Sequence, residues 1–143
     1  AEGGHADREQ FAWILESPAM THPQFTCTAT VAYLPEQSQP QAGVHAFAYT
    51  VTIVNSGDVT AQLVARHWVV ADANGHAEEV RGLAVVGHQP LLKPGEKFEY
   101  TSWTRIATPQ GTMRGTFFCM TEDAHPFDAP VPEFMLSRPE QLH

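Results

Sequence analysis

Hydrophobic and polar positions alternate with a period of two along most of the chain. Phe25, Cys27, Ala29, Val31 and Tyr33 fall on one side of a segment whose other side carries Thr26, Thr28 and Thr30. Phe47, Tyr49, Val51 and Ile53 alternate in the same way with Ala48, Thr50 and Thr52. A strand places successive side chains on opposite faces, so each run predicts a half-buried antiparallel strand. Residues 61–71 form the apolar run around which the rest is organised, closed by Asp72-Ala73-Asn74-Gly75, a hairpin-turn signal. Its faces are mixed. Val64, Trp68 and Val70 share a side with Arg66, while Leu63, Ala65, Val69 and Ala71 share one with His67. We expect Trp68 inward, with Arg66 reaching past the sheet edge along its apolar stem and His67 outward. The opposite orientation is the alternative.

Further strands are expected over 77–81, 97–103, 112–121 and 127–134. Loops carry the turn signals Asn55-Ser56-Gly57-Asp58, Lys93-Pro94-Gly95-Glu96 and Thr108-Pro109-Gln110-Gly111. In 112–121, Met113, Gly115, Phe117 and Cys119 oppose Arg114, Thr116, Phe118 and Met120. Pro130 and Pro132 cannot donate to a ladder, which assigns the last strand to a sheet edge. About seven strands with closely spaced turns predict an all-β, two-sheet antiparallel sandwich of immunoglobulin or fibronectin type III-like kind, with a closed barrel as the alternative. Residues 1–19 read differently. A short amphipathic helix over 9–16 ends before Pro18, and the segment is either an appended extension or a dispensable arm preceding a domain over 20–143.

Composition narrows the function classes. Sixteen acidic residues against eight basic give a formal charge of -8, and no Lys/Arg stripe offsets it, so nucleic acid is not an expected partner. No apolar run reaches the ~20 residues that span a bilayer, and residues 11–15 are too short for a signal core. A cytoplasmic, non-membrane protein is expected. Cys27 and Cys119 lie outside any CxxC and are expected to be buried, reduced thiols, with a disulfide between them as the alternative. The eight histidines lack ligand spacing, and of the acidic pairs Glu78-Glu79 would diverge on a strand while Glu122-Asp123 would sit in a turn. No metal site or cofactor is expected. His67 with Asp72 or Glu79 is the one grouping that invites a catalytic reading, and no enzyme is expected from it.

The run Arg66-His67-Trp68-Val69-Val70-Ala71-Asp72-Ala73-Asn74-Gly75 resembles the bacterial ApaG proteins. So do Glu78-Glu79-Val80-Arg81-Gly82, Val85-Val86-Gly87-His88-Gln89-Pro90, Leu92-Lys93-Pro94-Gly95-Glu96 and Met113-Arg114-Gly115. The resemblance implies a fibronectin type III-like sandwich, an association with cobalt and magnesium efflux, and, through related eukaryotic domains, protein interaction. It also implies a Gly-x-Gly-x-x-Gly segment for pyrophosphate. Here Ala84 replaces the middle glycine of residues 82–87, and no helical pattern follows to supply a phosphate-binding N-terminus. Arg81, Gly82, Ala84 and Gly87 remain the candidate anion loop, the alternative to protein recognition together with a divalent-metal site. For the expected protein partner, the candidate surface residues are Arg66, Trp103, Arg114, Phe118 and Met120, rich in the residue types of interaction hot spots. Trp103, Phe118 and Met120 would make one apolar patch if exposed together. Monomer and homodimer are not distinguished.

Overall fold

The computed structural model describes residues 21–138; the predicted arm over 1–19 and its helix lie outside them. Eight strands follow in order: β1 (Phe25–Tyr33), β2 (His45–Asn55), β3 (Ala61–Asp72), β4 (Ala77–Leu83), β5 (Leu91–Leu92), β6 (Lys97–Ile106), β7 (Gly111–Thr121) and β8 (Pro126–Leu136). The alternating runs become strands where they were expected. The addition is β5, two residues just ahead of the Lys93-Pro94-Gly95-Glu96 turn. It pairs Leu92 with Ala61 and Leu91 with Gln62. Two single-turn 3-10 helices, Pro35–Gln37 and Pro40–Ala42, fold the polar loop after β1.

Two antiparallel sheets result, one ordered β1-β2-β6 and the other β4-β3-β7-β8 with β5 beside β3. They face one another across a core in which Phe47, Val51, Ile53, Leu63 and Phe117 are fully buried. Edge-on aromatic packing organises its centre: the Trp68 ring meets Tyr49 at 5.7 Å, Phe117 at 5.7 Å and Phe134 at 6.2 Å. Cys27 and Cys119 are buried free thiols, and burial pushes each up to about 12. β8 is an edge strand, as its prolines require, and it lies beside β1.

The mixed faces of β3 have a structural cause. Leu63 opposes Cys119 and Ala65 opposes Phe118, so two steps along β3 match one step along β7. This β-bulge at Val64 inverts the alternation. Ala61 and Leu63 point inward before it, and Trp68 and Val70 point inward after it. Trp68 is 2% exposed, and His67 faces outward, as expected. Strict alternation would have turned Leu63 to the outside with His67. The bulge keeps it in the core instead.

Candidate functional site

The candidate anion loop is built around the bulge and Arg66. Val64 offers its carbonyl to the Ala84 N–H at 2.8 Å and to Gln89 Nε2 at 2.9 Å, pinning the crossing between β4 and β5 onto β3. Arg66 lies over Gly82, where an added Cβ would meet its Nη1 at 2.8 Å. Its Nη1 donates to the carbonyls of Leu83 and Ala84, each at 2.8 Å. Gly82 therefore leaves room for a guanidinium. Val85 is buried, and Val85 and His88 exchange backbone hydrogen bonds around a turn with positive φ at Val86 and Gly87. The N–H groups of Ala84, Val85 and His88 are thus donated within the protein. Arg81 lies apart from the turn, 73% exposed on the outer face, with Nη2 3.8 Å from Glu79 Oε1.

That outer face, on the five-stranded sheet, gathers several of the remaining candidates. Leu83, Ala65, Phe118 and Asp128 make one row across β4, β3, β7 and β8. Arg81, His67, Thr116 and Pro130 make the next. Leu83 is 73% exposed and Phe118 39%, and together with Thr116 and Asp128 they line a shallow depression of about 590 Å³. His67 Nε2 lies 3.0 Å from Glu79 Oε1, so the suspected pairing with Glu79 forms. The pairing with Asp72 does not, because the Asp72 carboxylate accepts from the N–H of Asn74 and of His76 in the hairpin turn. Met120 and Arg114 extend this face in opposite directions along β7.

Trp103 belongs elsewhere. It sits on β6 opposite Ala48, on the outer face of the three-stranded sheet, with the Arg105 guanidinium 5.0 Å from its ring centre. The expected single patch of Trp103, Phe118 and Met120 is therefore split between opposite sides of the sandwich. Arg66, half-buried and engaged with two carbonyls, is placed by the fold as an internal clamp. Leu83 was missed as a surface candidate. Carrying the alternation of Glu79 and Arg81 two residues further would have put it on this face.

Among the described residues, no three His, Cys, Asp or Glu side chains converge as metal ligands. The Glu122-Asp123 turn is held internally. Thr121 Oγ1 donates to Asp123 at 2.6 Å, and His125 Nδ1 lies 3.2 Å from the same carboxylate. Those contacts, the threonine hydrogen bond foremost, hold Asp123 below the usual carboxylate range.

A small antiparallel sandwich of immunoglobulin and fibronectin type III kind, with its β4–β5 crossing clamped by an arginine, is the class these observations define. The chain belongs to the ApaG domain family, whose model matches residues 35–121. It is 59% identical over 124 residues to Protein ApaG of Ralstonia nicotianae, spanning 87% of this chain and 100% of that protein. To Protein ApaG of Acidovorax sp. it is 61% identical over 104 residues, 73% of this chain and 76% of that protein. The crystal structure of the putative ApaA protein from Bordetella pertussis superposes with a TM-score of 0.79 at 50% identity, covering 82% of this chain and 95% of that one.

Proposed function

We propose that this chain is a non-enzymatic protein-recognition module. The supporting observation is the row on the outer face of the five-stranded sheet, where Leu83 and Phe118 stand exposed beside Ala65. Asp128 at the end of that row and Arg81 in the next supply charge around it, giving an apolar centre inside a polar rim. Both exposed side chains sit on hydrogen-bonded strands, so little conformational freedom is lost when a partner covers them. A role in divalent-cation homeostasis, implied by family resemblance, would be reached through the partner, in the cytoplasmic setting expected from the sequence.

The test is quantitative capture of a cross-linked partner from the source cell by the full chain. Leu83→Ser/Phe118→Ser should lower capture by the ~2 kcal/mol typical of a hot spot, about thirtyfold. Trp103→Ala, on the far sheet, should leave it intact. Equal capture by the double variant and the parent would sink this reading, provided both melt cooperatively.

A further inference from the structure

The two sheets are unequal, and their two sides differ. On one side β1 lies beside β8 and closes the sandwich. On the other, β6 is an edge strand above β3, and β4 extends one strand beyond it. Among the described residues, the inner face of β4 is therefore uncovered at Glu78 and Val80, while the Arg66 side chain lies over Gly82. Val80, opposite Trp68 and so turned toward the other sheet, is 41% exposed, and Glu78, two residues away on the same face, is exposed as well. At one end the cleft deepens into a cavity of about 310 Å³ between Val70 and Glu78 on one sheet and Ile106 on the other.

We propose that this cleft binds an extended segment of a partner protein, added to β6 as a fourth strand. The proposal rests on the protein-recognition reading above and assigns it a second surface. A strand hydrogen-bonded to β6 would lie about 4.8 Å outside it and about 10 Å from the sheet below, directly over β4. Its inward side chains would complete the layer that β4 lacks. Glu78 holds no ion pair among the described residues. The segment that fits therefore carries an apolar residue over Val80 and a basic one, two positions away, over Glu78.

The other exposed edges fit less well. Pro130 and Pro132 interrupt β8. A strand added to β4 would extend the overhang and bury no inner face. A second copy of this chain pairing through its own β6 is excluded by shape. Its β3 lies beneath its β6, and would enter the space that β4 already fills. The overhang thus blocks symmetric edge pairing and admits a lone strand.

The experiment titrates the isotopically labelled full chain with two capped, threonine-rich heptapeptides followed by NMR. Both have valine at the centre and threonine at the position over Gly82 and Arg66; at the position over Glu78, two residues from the valine, one carries lysine and the other glutamate. The lysine peptide should shift the amides of β6 and of Val80 and bind roughly threefold tighter than the glutamate peptide. Glu78→Lys, at an exposed position, should invert that ratio, a change of roughly tenfold. The proposal is overturned if neither peptide shifts β6 at millimolar concentration, if the ratio is unmoved by Glu78→Lys, or if β6 responds only through self-association. Shifts confined to the Leu83 and Phe118 face would also overturn it, yet leave the broader recognition reading standing. That reading fails separately, in the capture experiment.

Discussion

Asn55 shows how much one side chain can hold together. It is 1% exposed, with Nδ2 donating to the Val59 carbonyl at 2.9 Å and the Leu92 carbonyl at 2.8 Å, while Oδ1 accepts from the Gly57 N–H at 3.0 Å. It ties the end of β2 to the crossing that follows and to β5. Sequence reading placed this residue in a turn, because Asn-Ser-Gly-Asp is a turn signal, and the Gly57 contact fits that; the two carbonyls its side chain donates to are 4 and 37 residues away. Such partners leave no periodic trace. Asn55→Asp keeps the shape and one acceptor but removes both donors and buries a charge. It should lower stability by about 3 kcal/mol in urea unfolding, since buried groups left unpaired cost about 1–3 kcal/mol each. A change below about 1 kcal/mol would show that water reaches both carbonyls.

At the scale of the element, β3 marks the boundary between what was legible and what was not. The strands with clean alternation, β1 and β2, were readable because each has one wet face and one dry face, and the side-chain period reports that directly. β3 is apolar on both faces for part of its length and carries an unpaired residue, so period two failed over 61–71. The failure was itself the signal of the bulge. The same cause hid β5 and the clamp on the crossing loop, because both depend on the bulge carbonyl and on Arg66 rather than on local pattern. Likewise Trp103 and Phe118 were each recognisable as surface candidates, while their placement on opposite sheets needed the strand order. Deleting Val64 would restore strict alternation and force either Leu63 or Trp68 out of the core. The expected outcome is loss of a cooperative melt, whereas Val64→Ala should shift the midpoint only slightly. Cooperative unfolding with native Trp68 fluorescence in the deletion variant would contradict this account.

Across the whole molecule, the dry interior couples the cysteines to pH. An unfolded thiol titrates near 8.5, and burial pushes Cys27 and Cys119 up to about 12. As pH rises from about 8.5 toward 12, the unfolded chain loses protons that the folded chain keeps, so stability falls across that window. Burial also pushes the Tyr100 hydroxyl up, adding to the fall at its alkaline end. Urea midpoints measured from about pH 8 to about pH 10.5 should therefore decline. In Cys27→Ala/Cys119→Ala the decline should be shallower, even though the starting midpoint is lower because two cavities are created. An unchanged slope would mean that the thiols meet solvent.

The contrast between the two sides of the sandwich also has a mechanical consequence. With β1 against β8 and, among the described residues, no strand facing β4, the sheets are bound like a book along one spine and left uncut at the fore-edge. Local opening that breaks the fewest apolar contacts is therefore expected to begin at that fore-edge, by peeling the exposed hairpin end of β4 away from the end that Arg66 holds, before the spine and the buried β7 give way.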